Sequence, residues 1–236
     1  MDLPEAAPAP PGRTLPDPLP AEPFTLFRAW FDAAHRLKVQ PNPNAMSLAT
    51  VGPGGKPSVR IVLCKEIDGD SGHIVFYTNY RGRKARELDA HPHAAVCFHW
   101  DDLDKQVRIE GRVVRSPAAE SDAYFHSRPW ISRVGAWASD QSEPVGGGGR
   151  AALAQKLYAT MMRFGLDPEK LPGAEAVVRV PRPEHWGGYR LYAERVELWC
   201  AGEGRLHDRA EWVRTLRAVE GGFAADGPWR CTRLQP

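Results

Sequence analysis

Three neighbouring stretches, "AMSLATV" (45–51), "KPSVRIVLCKEI" (56–67) and "HIVFYTN" (73–79), decide how this sequence folds. Each is a short run rich in β-branched and aromatic residues, the composition of a strand. The segments between them, "GPGG" (52–55) and "DGDSG" (68–72), consist of residues that tolerate the backbone angles of a tight reversal. Short strands joined by such turns make antiparallel hairpins.

The pattern continues outward. "HAAVCFHW" (93–100) and "KQVRIEGRVVR" (105–115) form a further pair across "DDLD", and "GGYRLYAERVELWC" (187–200), "RLHDRAEWVRTL" (205–216) and "PWRCTRLQP" (228–236) give three last strands. Helices are inserted among them. Phe27, Trp30, Phe31, Ala34 and Leu37 recur at helical spacing. "GRKARELDA" (82–90) is a short helix ended by Pro92. Ser116 and Pro117 open another as N-cap and first-turn proline, running to about Ser127. "AALAQKLYATMMRFG" (151–165) follows the glycine loop "VGGGGR", and residues 165–184 read as irregular. The expected fold class is mainly β with inserted helices, an antiparallel barrel decorated by helices.

Composition limits the function. The chain has 236 residues, 42% of them hydrophobic, enough for one large core, and its 31 basic and 29 acidic residues give none of the basic excess of a nucleic-acid binder. No apolar run approaches the roughly 18 residues of a membrane helix. Cys64, Cys97, Cys200 and Cys231 stand far apart with no CxxC pair, which argues against zinc or a disulfide framework and fits a reducing cytoplasm. His91 and His93 lack matching partners, so no metal site is expected. The first 23 residues carry eight prolines and read as a flexible arm, leaving 24–236 as a single domain.

Several basic residues stand where they need an anion. Arg81, Arg83 and Lys84 lie at the start of a predicted helix, where the helix dipole disfavours cations but the free N–H groups make an anion socket. A bound phosphate and a solvated charge run are the competing readings. In "YFHSRPWIS", Tyr124, Ser127, Arg128 and Ser132 offer hydroxyls and a guanidinium, the chemistry of a phosphate grip. On chemistry alone, a helix ending in a dipole-matched arginine reads better. Arg60 and Lys65 sit five apart in an apolar strand and point to opposite faces unless a bulge intervenes. Gln106 is an amide that could read a heterocycle edge. In "GRLHDRAEW" (204–212), strand alternation puts Arg205, His207 and Arg209 on one face and Leu206 and Asp208 on the other. Three such groups side by side ask for an anion above them.

Nine stretches taken together resemble the FMN-dependent pyridoxine/pyridoxamine 5′-phosphate oxidases: "NAMSLATV", "RIVLCK", "FYTNYRGRK", "QVRIEGRV", "YFHSRP", "GAWASDQS", "HWGGYRL", "VELW" and "RLHDR". They stand in the family's order over roughly residues 24 to 236. The resemblance implies an FMN-binding split β-barrel and a homodimer with FMN at the subunit interface. It implies that Arg60, Ile61, Val62, Leu63, Cys64 and Lys65 line the FMN. Tyr77, Thr78, Arg83 and Lys84 would hold its ribityl phosphate, and Gln106 would bond the flavin ring. Gln141, Ser142, Trp199 and Arg209 would come from the other subunit. Lys65, Tyr124, Arg128 and Ser132 would grip the substrate phosphate, which reverses the chemistry-only reading of that stretch. Arg205 and His207, the implied catalytic pair, would sit over the substrate ring with Leu206 between them.

The implied reaction oxidises pyridoxine and pyridoxamine 5′-phosphates to pyridoxal 5′-phosphate, with O2 as acceptor and H2O2 released. A flavin oxidase acting on another ring, such as a phenazine precursor, and a flavin-binding barrel without turnover are the alternatives. The sequence departs from the family at Cys200, Cys64 and Trp130, and in the glycine run and the 165–180 loop. None of these removes a residue with a named role.

Overall fold

The computed structural model describes residues 13–167 and 179–236. Its strands are β1 (Ala45–Val51), β2 (Pro57–Asp68), β3 (His73–Asn79), β4 (His93–Trp100), β5 (Lys105–Arg115), β6 (Trp186–Cys200), β7 (Asp208–Val213), β8 (Leu216–Val219), β9 (Gly222–Ala225) and β10 (Arg230–Leu234). Six of them close a ring, β6-β3-β2-β1-β4-β5 and back to β6, with every pairing antiparallel. β7 and β10 extend from β6 outside the ring.

Closure follows from β6. Its first half pairs with β3 on one edge while most of its length pairs with β5 on the other, and its second half leaves β3 for β7. The bend falls at a bulge in the β5–β6 ladder between Glu110 and Gly111. Only glycine fits at position 111, because a Cβ there would lie 1.9 Å from the Tyr192 carbonyl oxygen.

The interior face carries Met46, Leu48, Phe76, Val96, Phe98, Val107, Ile109, Leu191 and Leu198, all buried. Helix α1 (Phe24–Leu37) packs on it through Phe27, whose ring lies 5.2 Å from that of Phe98, and through buried Trp30. Helices α3 (Ala118–Ser127), α4 (Trp130–Ala138) and α5 (Gly149–Arg163) build a second core around Phe125, Val134, Met161 and Trp186. Helix α2 (Arg83–Ala90) joins β3 to β4.

Four expectations need correction. The arm does not extend to residue 23. Leu15 is 3% exposed, its N–H donates to Asp208 Oδ2 at 2.8 Å, and Trp212 Nε1 donates to the Pro20 carbonyl at 2.8 Å. Residues 1–12 lie outside the described residues, as does most of the expected irregular stretch 165–184. Secondly, the strand read at 205–216 covers only Asp208–Val213, because Gly204 and Arg205 have positive φ (60° and 66°) and end a short turn at 203–205. Arg205, His207 and Arg209 therefore do not share a strand face. Thirdly, α3 takes Pro117 as its N-cap, and the Ser116 hydroxyl caps nothing. Finally, α4 and the β8–β9 hairpin were not expected at all.

His73 gives the fold a pH dependence. It is buried at the start of β3, its ring 4.8 Å from that of Tyr192, and Nδ1 has no hydrogen-bond partner. Burial pushes its pKa down to about 4, against the opposing charge of Asp68 and with help from Arg190 and Arg214. The unfolded chain takes up this proton near pH 6.5 and the folded chain near 4. The contribution to stability is thus complete above about pH 6.5 and lost as pH falls toward 4. The urea midpoint is expected to drop on acidification through this window, and His73→Gln to shrink the drop. Equal drops in both proteins would contradict the assignment.

Candidate functional site

A cleft of about 880 Å3 lies between the β2–β3 hairpin and helices α3 and α4. β2 contributes Arg60, Ile61, Val62, Leu63 and Lys65, and β3 contributes Tyr77 and Thr78. Lys84 of α2, Tyr124 of α3, Arg128 between α3 and α4, Ser132 of α4, Gln141 and Trp186 complete it. Arg60 and Lys65 both reach it because the β2–β3 register shifts between Cys64 and Glu66, the bulge that strict alternation needed.

Two groups of side chains stand out. In the first, Lys84 Nζ donates to Gln141 Oε1 at 2.7 Å and to Thr78 Oγ1 at 3.1 Å. Burial, then the charge of Arg60, lowers its pKa. Among the described residues no carboxylate lies within salt-bridge distance of it. Gly82, the N-cap of α2, keeps the approach open, since a Cβ there would stand 2.6 Å from Gln141 Oε1.

The second group is aromatic. Tyr77 stacks on Tyr124 (centroids 4.0 Å apart, planes 21° apart) and on Trp186 (5.5 Å, 10°). The Arg128 guanidinium lies over Trp186 at 4.5 Å, and Lys65 Nζ lies 5.8 Å from the Tyr124 centroid. Arg128 Nη1 is buried without a hydrogen-bond partner, and burial lowers the guanidinium's pKa. A buried cation without a counter-ion is costly unless an anion joins it. The cleft holds two half-buried cations, Lys84 and Arg128, with no carboxylate partner among the described residues.

Two neighbouring arginines, Arg60 and Arg83, share one carboxylate. Glu87, 4% exposed, accepts from Arg83 Nε at 2.8 Å, Arg60 Nη2 at 3.1 Å, Ser58 Oγ at 2.7 Å and Thr50 Oγ1. Burial alone would raise its pKa, but these four donors hold it down to about 2.

The structure separates the expected site residues into two sets. Arg60, Ile61, Val62, Leu63, Lys65, Tyr77, Thr78, Lys84, Tyr124, Arg128, Ser132 and Gln141 line the cleft. Gln141 and Ser142, which the resemblance assigned to the other subunit, sit beside Lys84 and Arg83 of the same chain, where Ser142 Oγ accepts from the Arg83 N–H at 3.1 Å. Cys64 faces the core, 1% exposed, its thiol pushed up to about 12 by burial, so its side chain does not line the cleft. Arg83 points to Glu87 and is not a lining residue.

Gln106, Trp199 and Arg209 are opposite one another on β5, β6 and β7, on the outward sheet face and away from the cleft of their own chain. The Trp199 ring lies 4.8 Å from that of His207, and Arg209 Nη2 lies 2.9 Å from Glu197. Leu206 is 76% exposed, and Arg205 and His207 do not line the cleft. Sequence reasoning gave no role to Trp186, although "HWGGYRL" contained it, and none to Glu87.

The architecture matches solved split-barrel proteins. PhzG from Burkholderia lata 383, solved in complex with tetrahydrophenazine-1-carboxylic acid, superposes with a TM-score of 0.77 at 29% identity, over 93% of this chain and 95% of that one. A pyridoxamine 5′-phosphate oxidase-related, FMN binding protein from Nostoc punctiforme PCC 73102 shares the fold, with a TM-score of 0.61 at 18% identity over 95% of this chain and 100% of that one. The class is therefore a split β-barrel with an anion-seeking cleft.

A family model described as pyridoxamine 5′-phosphate oxidase matches residues 32–157, and one described as the pyridoxine 5′-phosphate oxidase C-terminal dimerisation region matches 186–236. Relatives named pyridoxine/pyridoxamine 5′-phosphate oxidase are 46% identical in Burkholderia multivorans (91% of this chain, 89% of the relative) and 49% identical in Bordetella petrii (90% and 91%). The chain belongs to the pyridoxine/pyridoxamine 5′-phosphate oxidase family. The dimerisation-region match supports homodimer formation. Among the described residues, no helix is long and apolar enough to cross a membrane.

Proposed function

We propose that this chain is an FMN-dependent oxidase, working as a cytoplasmic homodimer. It converts pyridoxamine and pyridoxine 5′-phosphates to pyridoxal 5′-phosphate with O2 as acceptor and H2O2 as the reduced product. One observation carries the reading: a single cleft contains two half-buried cations, Lys84 and Arg128, with no carboxylate partner among the described residues, and the reaction requires two phosphates, one on the cofactor and one on the substrate.

The residues present fit FMN. Lys84, Thr78 and Gln141 would hold its phosphate beside the opening at Gly82, with Arg60 and Arg83 behind them and Ile61, Val62 and Leu63 along its length. FMN bound there would supply the two-electron acceptor that O2 regenerates. Arg128, Tyr124, Ser132 and Lys65 would hold the substrate phosphate, Arg128 being fixed against the Trp186 face. Gripping the phosphate orients the substrate ring, and fixed orientation supplies much of a rate enhancement. Gln106, Trp199 and Arg209 of the partner would close the flavin site. Arg205, Leu206 and His207 would then cover the substrate ring, the first and last polarising its phenolic oxygen. The exposure of Leu206 in one protomer agrees with a surface that a second copy covers.

The likeness to PhzG favours a second reading, oxidation of a reduced phenazine carboxylate. O2 consumption separates the two. The expected result is uptake and H2O2 release with both phosphorylated substrates, and none with pyridoxine lacking the phosphate or with tetrahydrophenazine-1-carboxylic acid. Turnover of the phenazine acid alone would establish the second reading. Bound flavin without O2 uptake on any of them would leave a binding protein.

A further inference from the structure

Glu87 is an acidic side chain at the end of the cleft where the proposed function places a phosphate. A carboxylate there opposes the phosphate electrostatically, so its presence needs an explanation. It is buried on the inner face of α2 and receives four donors from three elements: Thr50 of β1, Ser58 and Arg60 of β2, and Arg83 of its own helix. Arg60 is held further by Thr50 Oγ1, Ser58 Oγ and the Leu48 carbonyl. Without Glu87, Arg83 would lose the one side-chain acceptor it has among the described residues, and Arg60 would lose one of its four. The turn between β1 and β2 also closes over the carboxylate, since a Cβ on Gly52 would stand 3.2 Å from Glu87 Oε1.

We propose that Glu87 is a positioning residue for the FMN phosphate: it fixes Arg60 and Arg83 behind Lys84, at the expense of part of their charge. The proposal rests on the cofactor reading above. It differs in sign from the alternative that Glu87 is only a counter-charge. Removing a counter-charge strengthens phosphate binding. Removing an orienting hub weakens it, because an amide accepts at one atom only and turns an N–H donor toward guanidinium donors.

The test uses flavin-stripped protein and fluorescence titration with FMN and with riboflavin, which lacks the phosphate. In Glu87→Gln, the Kd for FMN is expected to rise about tenfold, the loss of one charge-assisted contact, while that for riboflavin stays at the wild-type value. Glu87→Asp keeps the charge but falls one methylene short of the hub, and FMN affinity is expected to fall by a smaller factor. FMN binding by Glu87→Gln as tight as wild type, or tighter, overturns the proposal. So does an equal loss of riboflavin, which would mark general damage to the site. If Glu87→Gln does not fold, Glu87→Asp decides: weakened FMN with unchanged riboflavin supports positioning, and unchanged FMN overturns it. Wild-type protein with no affinity for either flavin would remove the cofactor reading, and this proposal with it.

Discussion

Replacing Arg128 by alanine is expected to raise the KM for pyridoxine 5′-phosphate ten- to a hundredfold while FMN content stays at the wild-type level. A charge-assisted contact to phosphate contributes about 1.5–3 kcal/mol, which corresponds to that range. The argument rests on Nη1, buried with no partner inside the protein, and on the guanidinium's place against Trp186. A guanidinium that lines the cleft with part of its hydrogen-bonding capacity unused gains a partner when a phosphate arrives. Because Lys65, Tyr124 and Ser132 would still hold and orient the bound substrate, the loss should fall mainly on KM and leave kcat largely intact. Steady-state kinetics at saturating O2 checks this, and a wild-type KM would remove Arg128 from the substrate site.

Lys84→Ala is expected to act on the other ligand. The variant should purify with little flavin, and its Kd for added FMN should rise ten- to a hundredfold by the same magnitude of contact. Among the described residues Lys84 has no carboxylate within salt-bridge distance, whereas Arg60 and Arg83 share Glu87. Its effect on FMN should therefore exceed that of Arg83→Ala, although the two residues stand side by side and read alike from the sequence. Saturated with FMN, Lys84→Ala should show a near-normal KM for substrate. If Arg128→Ala and Lys84→Ala lose FMN equally, the division of the cleft into two phosphate sites is wrong.

Most of the barrel was legible, because alternating apolar residues and glycine-rich turns are local signals. The segment 203–207 was misread because alternating polar side chains also occur in turns. Gly202 and Gly204 were the warning: a Cβ on Gly202 would stand 2.0 Å from the Leu206 carbonyl oxygen. Helix α4 was missed because Pro129 reads as a stop, yet a proline serves equally as the N-cap of a new helix. The bulge that turns Lys65 toward the same cleft as Arg60 could be named as a condition but not located from β2 alone.

The site was legible in part where it consists of cations. Lys84 stood out as a cation at a predicted helix start, whereas Arg128 entered the site only through the family resemblance, since chemistry alone read it as a dipole-matched helix end. Glu87 did not stand out, because a glutamate four residues after Arg83 looks like an ordinary helix-surface pair. Its role emerges only when β1 and β2 bring Thr50, Ser58 and Arg60 to the same carboxylate. Likewise, Gln106, Trp199 and Arg209 are far apart in sequence and come into one row only through the pairing of β5, β6 and β7.

The most direct test of the account is anaerobic. The FMN-loaded dimer is mixed with pyridoxine 5′-phosphate and its visible flavin absorption is followed, then air is admitted. The account predicts that the oxidised-flavin band bleaches with substrate, returns with O2, and leaves one pyridoxal 5′-phosphate per flavin reduced. A band that dithionite bleaches but pyridoxine 5′-phosphate leaves untouched would contradict it.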